Sequence, residues 1–81
     1  MYLHLGGEKV IRTSELIAIF DISIEEIKLT GQFLHTARMN KKVETIGEEE
    51  PKSIVVTDSK IYYSPISSTT LKKRATQWMV V

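Results

Sequence analysis

The sequence predicts an α+β fold: a small, mostly antiparallel sheet with one amphipathic helix and a short C-terminal helix. Three features lead there. Pairs of β-rich runs flank short turn segments at Gly6-Gly7 and at Asp58-Ser59, the pattern of antiparallel hairpins. Between them, from Ile24 to Arg38, the apolar residues change to helical spacing. The apolar strand surface then exceeds what one long and one short helix cover on a single sheet face, and surplus of that kind predicts association with further copies of the chain.

Residues 2–5 read as a strand and 8–12 as its partner, because Gly6-Gly7 tolerates the positive φ of a tight turn. Residues 16–20, Leu-Ile-Ala-Ile-Phe, form an apolar run too short for a typical helix and rich in β-formers, which predicts a strand buried on both faces. In the helix that follows, Ile24, Ile27, Gly31 and Leu34 share one stripe, and Leu29, Phe33 and Ala37 an adjacent one. Asp21 or Ser23 caps its start, Glu25 and Glu26 suit the positive end of its dipole, and Arg38, Lys41 and Lys42 suit the negative end. Gly31 costs up to about 1 kcal/mol relative to Ala, so its presence points to close packing against a strand.

Residues 43–46 read as a further strand, followed by the polar loop Gly47-Glu48-Glu49-Glu50-Pro51. The strongest β signal comes next, where 53–57 and 60–64 flank Asp58-Ser59 and pair Ile-Val-Val with Ile-Tyr-Tyr. Pro65 stops the second of these strands, and Ser67, Ser68, Thr69 and Thr70 offer caps for a short helix over 70–78.

With 81 residues the chain reads as one domain over 1–81, of a size that buries only about 60% of its unfolded surface. Small folds compensate with disulfides, a metal or oligomerisation. The chain has no cysteine, and its two histidines, His4 and His35, are far apart with no ligand spacing. Oligomerisation is the remaining route, and the candidate interface is Ile54, Val55, Val56, Tyr62, Tyr63 and Trp78. Tyr62 and Tyr63 point to opposite sheet faces, so at most one of them is core. No apolar run approaches the roughly 18 residues of a membrane span, and no leader pattern opens the chain, so a cytoplasmic location without membrane contact is expected.

Eleven Lys and Arg against ten Asp and Glu give a net charge of +1, so composition alone does not indicate nucleic acid. The charges are nonetheless clustered: acid at Glu48, Glu49 and Glu50, base at Arg38, Lys41 and Lys42 and again at Lys72, Lys73 and Arg74. By default such runs are solvated faces or helix-end charges. Grouped on one surface, the basic ones would contact phosphates. Nucleophilic catalysis needs a nucleophile, a base and an orienting group together, and no spacing joins the histidines to the serines. Gly6-Gly7 lacks the strand-to-helix context of a phosphate loop. No catalytic residues, metal or cofactor are expected.

Several segments in order carry a resemblance: Met-Tyr-Leu-His-Leu-Gly at the start, Leu-Ile-Ala-Ile-Phe-Asp ending at Asp21, Pro-Lys-Ser-Ile-Val-Val-Thr from Pro51, Ile-Tyr-Tyr-Ser-Pro from Ile61 and Thr-Leu-Lys-Lys-Arg-Ala from Thr70. Over nearly its whole length the chain resembles the RemA/RemB family of bacterial extracellular-matrix regulators. The resemblance implies a cytosolic regulator of biofilm matrix genes, a ring-like homo-oligomer, and binding of repetitive double-stranded DNA. In one place the chain departs from the family. Relatives of the RemA type carry an Arg-Arg pair, implicated in DNA contact, in the loop after a Gly and before the strong strand. Here that loop reads Gly47, Glu48, Glu49, Glu50, Pro51, Lys52, and carboxylates facing phosphate repel it.

Two functions follow as expectations. One is a DNA-binding regulator using Lys52, Lys72, Lys73 and Arg74, with Arg38, Lys41 and Lys42 as a second patch. The other is an oligomeric protein-interaction regulator that does not touch DNA, whose Glu48, Glu49 and Glu50 loop meets a basic surface on a RemA-like partner protein.

Overall fold

A computed structural model describes residues 1–26 and 28–76, with the backbone alone at 26, 28–31, 33 and 37. The expected roles of Ile27, Leu29, Gly31, Phe33, Ala37 and Trp78 lie outside these described side chains.

The chain opens as expected with a hairpin, β1 (Tyr2–Gly6) and β2 (Lys9–Arg12), paired antiparallel with Leu3 opposite Ile11 and His4 opposite Val10. Gly6 and Gly7 both take positive φ, 110° and 54°, which a side chain would resist. At Gly6 there is a second reason for glycine: a Cβ there would sit 3.1 Å from the Pro65 ring. His4 Nε2 donates to the Gly7 carbonyl at 2.7 Å and closes the turn. Leu3, Leu5 and Ile11 are buried beneath the hairpin, while Tyr2, His4 and Val10 face solvent.

A 3-10 turn over Thr13–Glu15 leads into β3 (Leu16–Asp21), and a 3-10 segment over Ile22–Glu26 precedes α1 (Lys28–Asn40). The helical pattern is therefore divided between two elements. Asp21 caps the first, its carboxylate accepting the Ser23 backbone N–H at 2.9 Å. After α1 come β4 (Lys42–Thr45), β5 (Ser53–Thr57), β6 (Lys60–Ser64) and α2 (Ser68–Thr76). The β5–β6 hairpin has the expected boundaries. Thr57 holds its turn, its hydroxyl donating to the Lys60 carbonyl at 2.7 Å and accepting the Lys60 N–H at 2.9 Å. Of the candidate caps, Ser67 is the one used: its Oγ accepts the Thr70 N–H at 3.2 Å, and α2 starts at Ser68.

The larger sheet has four strands in the order β3-β5-β6-β4, and the hairpin β1-β2 forms a second, two-stranded sheet. Pairing is antiparallel except for β4 with β6, which run parallel. That parallel pair requires the β4–β5 loop to cross the end of β6. The crossing is fixed by the Ile46 N–H donating to the Tyr63 carbonyl at 2.9 Å and the Lys52 N–H donating to the Ser64 carbonyl at 2.8 Å.

Alternation along the strands divides the core in two. On one face Val55 and Tyr62 pack with Ile19, with Leu3, Leu5 and Ile11 of the hairpin, and with Leu71 and Ala75 of α2. On the other, Ile54, Val56 and Ile61 pack with Leu34 of α1, flanked by Phe20, Ile22, Ile24 and Tyr63. Both faces of the central strands are covered, so every residue of β5 is buried.

Three expectations are corrected by this arrangement. The helices do not share one face; they lie on opposite faces, and the hairpin supplies the rest of the cover. Ile54, Val55, Val56 and Tyr62 consequently sit in the protomer's own core, with no surface to offer a neighbour. Third, β3 is not buried on both faces. It is an edge strand whose register shifts between Leu16 and Ala18, and the intervening Ile17 is 57% exposed.

Candidate functional surface

Arg38, in the last turn of α1, does not project freely. Its guanidinium pairs with the Glu25 carboxylate and the Tyr63 hydroxyl, and lies 5.3 Å from the Tyr63 ring centroid. The Tyr63 hydroxyl in turn donates to the same Glu25 oxygen at 2.7 Å. This triad ties the start of the helical region to its end and to β6, and it covers the solvent side of Tyr63. Lys41 is also engaged: its Nζ donates to the Thr57 carbonyl at 2.8 Å, fixing the α1–β4 connection to the end of β5. Among the described residues, Lys42 is the member of that expected patch left exposed without such a contact.

Lys72, Lys73 and Arg74 are all exposed on α2, whose opposite stripe, Ser68, Leu71 and Ala75, is buried. Three consecutive helical residues spread over most of the outer half of the helix, so they form a continuous basic surface. Lys52 is exposed where β5 begins, and its carbonyl accepts the Ile22 N–H at 3.1 Å, which puts it at the Asp21 end of β3. Ser68, at the start of α2, reaches the same place through its hydroxyl, 3.5 Å from the Asp21 carboxylate. Lys52 and the start of α2 therefore both lie at Asp21, and among the α2 bases Lys72 is near enough for its charge to act on that carboxylate. The Arg38, Lys41 and Lys42 group, by contrast, leads into β4 at the far edge of the sheet, so the two basic clusters are not brought together.

Asp21 was not among the expected site residues. The Ser23 backbone N–H and then the Ser23 hydroxyl, with lesser help from the Ser68 hydroxyl and the charge of Lys72, hold its carboxyl below the ordinary value of 3.8, against the opposing effect of desolvation. A second omission is Glu44 of β4, which meets Lys9 at 3.6 Å and Lys60 at 3.4 Å, with Lys9 5.1 Å from the Tyr62 ring centroid. These partners come from three separate strands, and only knowledge of the strand order would have joined them.

Glu48, Glu49 and Glu50 are all exposed, between Gly47 at φ 73° and Pro51. Among the described residues none of the three forms an ion pair. Their loop crosses the same end of the sheet as Lys52. Among the described residues no group of three or more His, Cys, Asp or Glu side chains is positioned to hold a metal ion, and no helix is long and apolar enough to cross a membrane.

Residues 2–75 match the model of the RemA-like family, described as extracellular matrix regulatory protein A-like, and the chain belongs to that family. It is also 45% identical, over 75 residues, to extracellular matrix regulatory protein B of Bacillus subtilis (strain 168), an alignment covering 93% of this chain and 90% of the relative.

Proposed function

We propose that this protein is a bacterial cytosolic regulator of extracellular-matrix genes that acts as an oligomeric DNA-binding protein and catalyses no reaction. The observation that carries this reading is family membership together with 45% identity to a matrix regulator over nearly the whole chain. Lys72, Lys73 and Arg74 on the outer face of α2 make the phosphate contacts, with Lys52 beside them. Lys42 contributes at the other edge. Arg38 and Lys41 are held by Glu25, Tyr63 and Thr57 and serve the fold. The carboxylates of Glu48, Glu49 and Glu50 oppose DNA at the loop and direct it toward α2.

Assembly uses the two outer strands of the four-stranded sheet, β3 and β4. The β3 edge carries exposed Ile17, and the β4 edge carries Val43 with Met39 of α1 nearby. Unlike patches at opposite edges favour a head-to-tail contact, which closes into a ring when the rotation between copies allows it. The test is retardation of a repetitive AT-rich duplex at rising salt. Binding at low salt that weakens by roughly 0.9 log units per log unit of salt for each phosphate neutralised supports the proposal. Absence of any retarded species at low salt overturns it.

A second reading rests on the three exposed glutamates, which have no ion-pair partner among the described residues: the loop docks on a basic surface of a RemA-like protein, and the effect on genes is indirect. Reversing the charge of Glu48, Glu49 and Glu50 separates the two. Under the first reading DNA affinity rises; under the second, a complex with the partner protein disappears while DNA binding stays absent.

A further inference from the structure

The hairpin and α2 cover the same face of the four-stranded sheet: Leu3, Leu5 and Ile11 pack there with Leu71 and Ala75, against Val55 and Tyr62. The sides of these elements that turn away from the core therefore look out from one side of the protein. On α2 that side carries Lys72, Lys73 and Arg74. On the ribbon, alternation puts Tyr2, His4, Val10 and Arg12 there, all exposed. Within β1, its turn, β2 and α2 the one acidic side chain is Glu8, against Lys9, Arg12, Lys72, Lys73 and Arg74. This layer is a cationic surface suited to a polyanion.

Arg12 differs from the bases around it in being uncommitted. Lys9 and Lys60 meet Glu44, Arg38 meets Glu25, and Lys41 donates to the Thr57 carbonyl. Arg12 has no ion-pair partner among the described residues. Tyr2 stands directly across the ribbon from it and is 63% exposed. Opposed residues of an antiparallel pair hold their Cβ atoms about 4.5–5.5 Å apart, so the phenol and the guanidinium leave the ribbon side by side. The pair is fixed from behind: the Thr13 N–H donates to the Met1 carbonyl at 3.0 Å just beyond it, and Leu3 and Ile11 are buried beneath. Thr13, next in the chain to Arg12, lines the same groove as Lys72, so the end of the ribbon and α2 border one another there.

We infer that Arg12 and Tyr2 are DNA-contacting residues, and that the hairpin and α2 form one binding face. The Arg12 guanidinium takes a backbone phosphate in its planar fork of donors, and the Tyr2 hydroxyl donates to a neighbouring phosphate oxygen. Contacts of this kind position the duplex and carry no base preference. The inference rests on the DNA-binding reading and extends it to an element with no part in that reading so far.

The test is retardation of a repetitive AT-rich duplex and of a mixed-sequence duplex over a salt series, with wild type, Arg12→Gln, Arg12→Lys and Tyr2→Phe. Arg12→Gln should flatten the slope of log affinity against log salt by roughly 0.9 on both duplexes, and Arg12→Lys should keep the wild-type slope. Tyr2→Phe should weaken binding roughly two- to tenfold at an unchanged slope. A wild-type slope in Arg12→Gln overturns the inference and leaves the DNA-binding reading standing. So does an Arg12→Lys protein as impaired as Arg12→Gln, because position 12 would then act through the fold and not through its charge. Unchanged affinity in Tyr2→Phe overturns the contact assigned to Tyr2. A wild-type protein that retards neither duplex at low salt overturns the reading and the inference together.

Discussion

Buried hydroxyls carry more of this fold than its ion pairs do. Ser64 Oγ donates to the Leu5 carbonyl at 2.6 Å and accepts the Ile66 N–H at 3.1 Å, joining the hairpin sheet to the end of β6. Removing it leaves a carbonyl and an amide without a partner, at a cost of about 1–3 kcal/mol. Ser64→Ala should lower the urea midpoint accordingly, and no change would show that water replaces the hydroxyl. The Glu25–Arg38 pair, with both side chains about one third exposed, belongs to the class of pairs worth about 0–1 kcal/mol. Asp21 gives a pH signature. Its folded-state pKa is depressed, so its ionised form favours the native state: the contribution is complete above the ordinary value of 3.8 and is lost as pH falls through the lower folded value. The stability gap between the wild type and Asp21→Asn should therefore be constant near neutrality and shrink only below about pH 3.8. A gap that persists to the acid limit would mean that the carboxylate's charge is not what matters.

Among the elements, the opening hairpin depends most on a single position. Gly6 combines a φ of 110° with close approach to Pro65, so Gly6→Ala suffers both backbone strain and crowding. It should destabilise by more than the roughly 1 kcal/mol over which Gly-to-Ala changes usually act, as measured by chemical denaturation. Gly47, with a φ of 73° but open space around it, is strained by the conformation alone, so Gly47→Ala should be the milder change. The reverse order would mean that Pro65 moves aside freely. The two sheet edges differ in kind. β4 carries Lys42 and Glu44 among its residues, which discourage non-specific strand pairing, whereas β3 presents Leu-Ile-Ala-Ile-Phe with no charge before Asp21.

For the whole molecule, the two basic clusters stand apart, and the proposed DNA contacts lie on α2 and Lys52. Replacing Lys72, Lys73 and Arg74 with Glu should lower the salt slope by roughly 0.9 for each phosphate no longer neutralised and weaken binding on all sequences alike. An equal effect from Lys42→Glu alone would relocate the interface to β4. If copies join edge to edge, Val43→Lys should reduce the mass seen by light scattering while the circular dichroism of the protomer stays unchanged. A wild-type monomer would remove the assembly from the proposal.

The strand and helix content, the Ser53–Thr57 and Lys60–Ser64 hairpin, the Gly6-Gly7 turn and the opposite facing of Tyr62 and Tyr63 were all determined by the sequence itself, because turn chemistry and periodicity act over a few residues. The family, too, was legible from segments in order. The tertiary structure alone decided what those elements cover. Nothing local in Ile-Val-Val at 54–56 says that α1 lies over Ile54 and Val56 while the hairpin and α2 lie over Val55, so the same residues read equally well as an interface. Nor does the charge of Arg38 reveal that Glu25 and Tyr63 hold it, or that of Glu44 that Lys9 and Lys60 flank it. Local pattern dictates which side chains must leave water; strand order and layer packing, which bring distant residues together, decide which of them already have.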